Sequence, residues 1–300
     1  MLDGSLIIQD ITIWMRAIRI RFLLASIIAV INGISVAFWK SGIFNLSYTI
    51  LIFAGVICLH ASVDLLNDYW DYKRGTDVIT RRTKFSGGTG VLPEKLLRPK
   101  TVYIAGVIFM MLGALAGIYF VVIRGITIAV ILGFAIVTIY LYSINIVNAG
   151  LGEIFVAIKG IMIVLGTFYI QTGVVDPSAI FIGVIIGILS ASVLFVNSFP
   201  DYDADRNTGR RSLLTIIGKQ NGSRLFPVPV LIPYILILAG IFLGYTKFVS
   251  LSCLASIPYA IKVIKDIDKL EDLSQFVPVM VATVTYARIT GFMLAMSLLF

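Results

Sequence analysis

The chain is predicted to be an all-α membrane protein, with about nine membrane-crossing helices around a central cavity, arranged as two pseudo-repeated halves. Three observations predict this. Of its 300 residues, 59% are hydrophobic and 13% charged, with mean hydropathy +0.99, whereas a soluble domain is about a quarter charged. Long apolar runs recur along its whole length. Matching Asp-rich strings follow the second and the sixth of those runs.

A crossing helix needs roughly 20 largely apolar residues, whereas a barrel strand needs about 9–11 alternating ones. The runs here are Phe22–Trp39, Ser47–Leu66, Val102–Ile123, Ile126–Val147, Leu151–Thr172, Ala179–Val196, Leu225–Tyr245, Phe248–Ile264 and Phe276–Phe300. They are too long and continuous for strands, and only helices or closed barrels satisfy the backbone in lipid. The eighth run is the shortest. Pro227, Pro229 and Pro233 predict a late start or a kink in the seventh. The whole of 1–300 reads as one membrane domain, capped by the loops 67–100 and 197–224.

Orientation follows from Lys and Arg. With the N-terminus inside, the inner segments hold Arg16, Arg19 and Arg21, eight basic residues in 67–100, five in 197–224, and Lys262, Lys265 and Lys269. The outer segments hold Lys40, Arg124 and Lys247. That asymmetry is a positive-inside signal. It places the N-terminus and both Asp-rich segments in the cytoplasm and the C-terminus outside, in an integral protein of the cell membrane. The net charge of +8 then reflects topology, and no nucleic-acid partner is expected. Asp3 and Asp10 precede the first arginines, which reads against a cleavable signal peptide.

Two cysteines, Cys58 and Cys253, and one histidine, His60, all lie in apolar runs. That excludes a disulfide framework and a Cys- or His-built metal site. Chemistry is instead expected where acids cluster. The first string runs Asp64-Leu-Leu-Asn67-Asp68-Tyr-Trp-Asp71-Tyr-Lys73-Arg74-Gly-Thr-Asp77, and the second Asn197-Ser-Phe-Pro-Asp201-Tyr-Asp203-Ala-Asp205-Arg206. Both contain Asn-x-x-x-Asp, 130 residues apart (67 to 197), as expected of repeated halves. Residues four apart share a helix face. Two such faces meeting at one cavity repel unless cations lie between them. Mg²⁺ suits oxygen donors and is held by one or two carboxylates plus waters and substrate phosphates. Asn67, Asp68, Asp71, Asn197, Asp201 and Asp205 are therefore candidate ligands for Mg²⁺, two ions in all. The nearby Arg21, Lys73, Arg74, Lys84, Arg206 and Arg210 point to a phosphorylated, Mg²⁺-bound partner and are candidates to hold its diphosphate.

At these residues the chain resembles the UbiA superfamily of intramembrane aromatic prenyltransferases. Within it the chain looks most like the 1,4-dihydroxy-2-naphthoate prenyltransferases of menaquinone synthesis. Further strings carry the likeness: Ser86-Gly87-Gly88-Thr89-Gly90-Val91-Leu92, Gly150-Leu151-Gly152-Glu153, Gly209-Arg210-Arg211-Ser212-Leu213, and Trp14 with Arg19 and Arg21. One position departs from the pattern: where the first motif often continues to a third Asp, this chain has Gly75, and the nearest acid is Asp77.

The resemblance implies a transfer reaction. A prenyl diphosphate binds with its head at the Mg²⁺ sites, its allylic C–O bond ionises, and an acceptor attacks. Dihydroxynaphthoate leads as acceptor, with geranylgeranylglyceryl phosphate or hydroxybenzoate as alternatives. Asp64, Tyr69, Tyr140, Glu153 and Tyr202 are candidates to stabilise the cation or position the acceptor, and Tyr72 and Tyr142 are further aromatics in reach. Lys159 and Arg288 lie within spans, where ionisable groups are functional candidates, and no role is assigned to either. A transporter is the reading from another class. It would place its ionisable residues near the bilayer midplane, whereas most acids here sit at helix ends. A lipid phosphatidyltransferase would carry an Asp-x-x-Asp-Gly-x-x-Ala-Arg string, which is absent.

Overall fold

The computed structural model describes residues 4–80, 82–83, 85–142, 146, 149–269 and 273–300. Among them all regular secondary structure is helical, with no strand. An amphipathic helix α1 (Gly4–Ala17) precedes the crossing helices α2 (Ile20–Ser41) and α3 (Leu46–Arg74). A single turn, α4 (Thr76–Ile79), follows, then α5 (Pro99–Arg124), α6 (Ile126–Leu141), α7 (Gly152–Thr172) and α8 (Pro177–Thr208). Short α9 (Leu213–Ile217) and α10 (Lys219–Leu225) lead to α11 (Pro227–Leu243). A 3₁₀ helix at Phe248–Ser256 runs into α12 (Ile257–Asp266), and α13 (Leu273–Leu299) closes the chain.

The helix ends follow local chemistry. Asn45 caps α3 by accepting from the Tyr48 N–H, and Asp176 caps α8 by accepting from the Ser178 N–H. Pro99 and Pro177 occupy first turns, where a missing N–H is harmless. Gly42, Gly75, Gly173 and Gly209 end helices with left-handed backbone.

Among the described residues, eight segments are long and apolar enough to cross a membrane, and α6 is a further apolar helix, shorter at 16 residues. The remainder of the fourth predicted span includes residues 143–145 and 147–148, which lie outside the described residues. The proline-rich seventh span does not start late: helix begins at Lys219, and the one turn residue Phe226 separates α10 from α11, which has Pro227 in its first turn. The eighth is half 3₁₀ and half α. Large apolar side chains are bare to the outside, among them Val122 at 81% and Phe242 at 89% exposed. In water that surface would be costly; against lipid it is the ordinary solvent-facing side. The protein is an integral membrane protein.

One correction concerns the Asp-rich segments. They are not loops where they carry their acids. Helix α3 runs past its apolar run to Arg74, and α8 past its own to Thr208. The acids are therefore fixed on rigid helical extensions.

The main core joins α2, α7, α8, α11, α12 and α13 through Ile28, Phe168, Ile185, Leu189, Tyr234, Val263 and Tyr286. Close approach of α7 and α8 depends on glycine. A Cβ at Gly160 would lie 2.6 Å from the Cα of Gly187, so two backbones touch where any side chain would wedge them apart. Gly160→Leu is expected to cost about 3 kcal/mol or more, visible as loss of a monodisperse folded peak in detergent.

Candidate active site

On α3, residues 60, 64, 67 and 71 are spaced by four, three and four, which aligns His60, Asp64, Asn67 and Asp71 in one stripe. On α8, Asn197, Asp201 and Asp205 form a second stripe. All seven line one cavity of about 390 Å³. The stripes face each other at its polar mouth, one from each half of the chain.

The mouth is a network of opposite charges. Asn67 Nδ2 donates to Asp71 Oδ2 at 2.9 Å, and Arg74 Nη1 donates to Asp71 Oδ1 at 3.0 Å. Arg210 Nη1 lies 3.1 Å from Asp71 Oδ2 and 3.6 Å from Asp205 Oδ1, bridging the two halves. Arg19 Nη2 donates to Asp68 Oδ1 at 2.5 Å, and the Thr89 hydroxyl donates to the other oxygen of the same carboxylate. Burial works against charge on Arg19, yet Asp68 and Asp64 outweigh it and hold its pKa above the usual arginine value. Arg19 also has left-handed backbone, φ 47°, a conformation that costs a non-glycine residue about 1–2 kcal/mol. The turn between α1 and α2 thus carries strain where it delivers a guanidinium to the site.

The glycine string after α4 closes over the mouth. The Gly87 N–H donates to Asp201 Oδ2 at 3.2 Å. Gly88, at φ 70°, packs so close to the Asp77 carboxylate that a Cβ would collide with it. Asp77 is buried, and burial, with Asp71 and Asp68 nearby, pushes its carboxyl up to about 8. It does not line the cavity, in keeping with its offset from the motif.

Below the mouth the lining turns apolar. Leu59, Val63, Leu132, Phe155, Ile163 and Val193 form the shaft. Phe120, Ile128 and Ile170, packed with Val30 and Ile52, form the floor, and the Tyr48 ring meets Phe120 edge-on at 5.5 Å.

Of the residues singled out from sequence, Arg21, Asp64, Asn67, Asp71, Glu153, Asn197, Asp201, Asp205 and Arg210 line the cavity. Asp68 and Arg74 sit just behind, held by Arg19 and on Asp71. Five others are not brought to it. Lys73 lies 5.3 Å over the Trp70 ring, and Tyr69 packs between Trp70 and Tyr103. Arg206 is exposed, and Tyr140 is 44% exposed. Tyr202 packs on the core with Lys219 over its ring at 4.9 Å. The helix period explains this: residues 69 and 73 are two steps from 67 and 71, and residues 202 and 206 one step from 201 and 205, so all turn off the stripe. Lys84 lies outside the described residues. The lining also includes Arg19, Tyr142 and Arg211, which the sequence strings and aromatics name, and Lys159 and Arg288, to which the sequence assigns no role. Arg288 reaches the first turn of α2 by donating to the Arg21 carbonyl at 2.6 Å.

The donor set suits a divalent cation shared with a ligand. Among the described residues, no three His, Cys, Asp or Glu side chains converge as a ready metal cage. Yet Asn197 Oδ1, Asp201 Oδ1 and Asp205 Oδ1 are buried acceptors without a hydrogen bond, an arrangement that is expensive unless something pairs with them. Mg²⁺ takes few protein oxygens and completes its shell with water and phosphate, which matches what is present.

A helical membrane protein whose cavity joins a charged mouth to an apolar shaft and floor is built for an amphiphile with a charged head. The family follows from comparison: the chain belongs to the UbiA prenyltransferase family, whose model matches residues 26–285, and it is a prenyltransferase. It is 25% identical over 283 residues to 1,4-dihydroxy-2-naphthoate octaprenyltransferase of Bacillus subtilis (strain 168), covering 92% of this chain and 89% of that one. It is 23% identical to 2-carboxy-1,4-naphthoquinone phytyltransferase of Synechocystis sp. (strain ATCC 27184 / PCC 6803 / Kazusa), over 87% of this chain and 84% of that one. A UbiA homolog from Archaeoglobus fulgidus, solved with GPP and Mg²⁺, shares the fold with TM-score 0.64 at 14% identity, over 94% of this chain and 99% of that one. A digeranylgeranylglyceryl phosphate synthase does so with TM-score 0.65 at 16% identity, over 97% and 99%.

Proposed function

We propose that this protein transfers a prenyl chain from a prenyl diphosphate to 1,4-dihydroxy-2-naphthoate in a Mg²⁺-dependent reaction that proceeds by ionisation of the allylic diphosphate. The observation that carries this reading is the pair of Asn/Asp stripes facing each other above one apolar shaft. The names of the Bacillus and Synechocystis relatives support a naphthoate-type acceptor, and the Archaeoglobus homolog supports a prenyl diphosphate donor with Mg²⁺.

The diphosphate sits at the mouth, where Asn67, Asp71, Asn197, Asp201 and Asp205 would hold two Mg²⁺ ions. Bound there, Mg²⁺ supplies charge stabilisation for the leaving diphosphate. Arg21, Arg74 and Arg210 add fixed positive charge around the same group. Arg210 also keeps the two halves in register through Asp71 and Asp205. The hydrocarbon tail fills the shaft, gaining about 0.8 kcal/mol per buried CH₂ relative to water. The apolar wall excludes water that would otherwise capture the allylic cation. The Tyr142 ring lines the cavity and is in place to face that cation. Glu153, whose Oε2 is buried without a hydrogen-bond partner, is in place to orient the acceptor.

The whole chain acts as one catalytic unit, with its mouth, segments 67–100 and 197–224 and N-terminus in the cytoplasm and its C-terminus outside. The Lys and Arg asymmetry supports that orientation. Lys40 and Lys247 meet at the Trp39 ring, 3.9 and 5.9 Å from its centroid, at the end of α2 remote from the mouth. Lys40→Ala is therefore expected to leave turnover within about twofold of wild type, since exposed charges contribute little.

The test is incubation of the purified protein with geranylgeranyl diphosphate, Mg²⁺ and one acceptor at a time: dihydroxynaphthoate, 4-hydroxybenzoate or geranylgeranylglyceryl phosphate. Products are read by mass spectrometry. The expected result is a prenylated naphthoquinol, lost on adding EDTA. Product from geranylgeranylglyceryl phosphate alone would reassign the acceptor to ether-lipid synthesis. Unchanged turnover in EDTA would sink the metal requirement.

A further inference from the structure

The stripe on α3 does not stop at the metal-binding level. Asp64 lies three residues below Asn67, about 4.5 Å further along the helix axis, and His60 about 6 Å below that. Both line the cavity, as does Ser26 of α2. The Ser26 hydroxyl is 2.6 Å from His60 Nδ1, and His60 Nε2 is 3.5 Å from Asp64 Oδ2. The His60 and Asp64 side chains are 7% and 13% exposed. Asp64 Oδ2 has no hydrogen-bond partner in this setting. A carboxylate on a cavity wall, with one oxygen buried without a hydrogen bond and faced by an anchored histidine, is an arrangement that packing alone does not require. Its level also matters. With the diphosphate head beside Asn67 and Asp71, the first carbon of the prenyl chain falls one step deeper, beside Asp64.

We propose that Asp64 is the base that takes the hydroxyl proton of the aromatic acceptor, and that His60 and Ser26 position it. This rests on the prenyl-transfer reading above. With Ser26 donating to Nδ1, the His60 ring carries its proton on Nε2, facing Asp64. The step balances as follows. The acceptor hydroxyl gives its proton to the Asp64 carboxylate, and the ring carbon bearing the carboxylate attacks the first carbon of the prenyl chain. The C–O bond to diphosphate breaks, and its electron pair leaves with the diphosphate. The ring regains aromaticity by losing CO₂, whose C–C electron pair returns to the ring, and the resulting oxyanion takes the proton back from Asp64.

The experiment measures kcat with saturating donor and dihydroxynaphthoate, together with the affinity for a non-reactive thiolodiphosphate analogue of the donor. Asp64→Asn is expected to lower kcat by about 10²-fold or more, while analogue affinity stays within about threefold. His60→Leu is expected to lose about tenfold in kcat, and His60→Gln, which keeps an N–H toward Asp64, to recover most of that loss. Asp64→Asn turning over at the wild-type rate would overturn the proposal. So would a matching loss of analogue affinity, which would place Asp64 in the head-group site. If Asp64→Asn does not fold, the His60→Leu and His60→Gln pair decides, and equal activity in the two overturns the relay. Inactivity of the unaltered protein with every acceptor would overturn the prenyl-transfer reading and the relay with it, whereas an active wild type beside an active Asp64→Asn bears on the relay alone.

Discussion

Asp71→Ala and Asp201→Ala are each expected to lower turnover by about 10²–10³-fold, the usual effect of removing one group that stabilises charge in the transition state. The two residues stand on different halves of the chain and face one mouth. Either loss should disable the site, and the double variant should be little worse than the single ones, because groups acting as a unit are not additive. Both variants should remain folded and membrane-inserted. After Asp71 is removed, Arg210 still has Asp205 at 3.6 Å. Asp201 receives one backbone hydrogen bond, from Gly87. Normal turnover in both purified variants would rule out a shared two-sided site.

Arg210→Gln is expected to do damage of a second kind. Its guanidinium is the cation between Asp71 and Asp205, with 18% of the side chain exposed. Breaking a fully enclosed ion pair costs about 3–5 kcal/mol, because the partner charge stays buried. Partial exposure brings this nearer about 2–3 kcal/mol here. Without Arg210, Asp71 keeps only Arg74 and Asp205 loses the guanidinium it faces, so a divalent cation should stabilise the variant more than the wild type. Thermal unfolding in detergent, with and without Mg²⁺, reads this independently of activity. A shift in the variant no larger than in the wild type would mean that these carboxylates do not share a cation. Turnover should also fall by about 10²-fold, since on the proposed reading the same guanidinium faces the diphosphate.

The crossing helices were legible in the sequence because lipid demands long, unbroken apolar runs, and hydropathy reads that demand directly. Where the helices stop was less legible. The end of an apolar run marks the end of the hydrocarbon, but α3 and α8 continue as helix into the polar region, and hydropathy is blind to that. The acids were found because four-residue spacing has a geometric meaning. The same rule, applied to their neighbours, turns Lys73, Arg206, Tyr69 and Tyr202 away from the stripe. The arginines that do close the site arrive by tertiary routes. Arg19 comes from a strained turn before α2, and Arg210 from the segment after Gly209. No periodicity within one helix predicts either. The role of the glycine string was also hidden in sequence, where Gly87 and Gly88 show only that backbone must pass somewhere tight. That this place is against Asp201 and Asp77 is a fact of packing.

The floor at Phe120, Ile128 and Ile170 gives the cavity a depth, and a depth acts as a gauge of length. From Glu153 to Ile170, both on α7 and both on the wall, is about 26 Å of helix. A tail threaded from mouth to floor is measured against that distance in whole isoprene units, because the reacting carbon is pinned at the top. The chemistry at the mouth is indifferent to how many units follow. On the proposed reading, the length of the transferred chain is then a matter for three apolar side chains at the far end of the cavity, which never meet the reacting atoms.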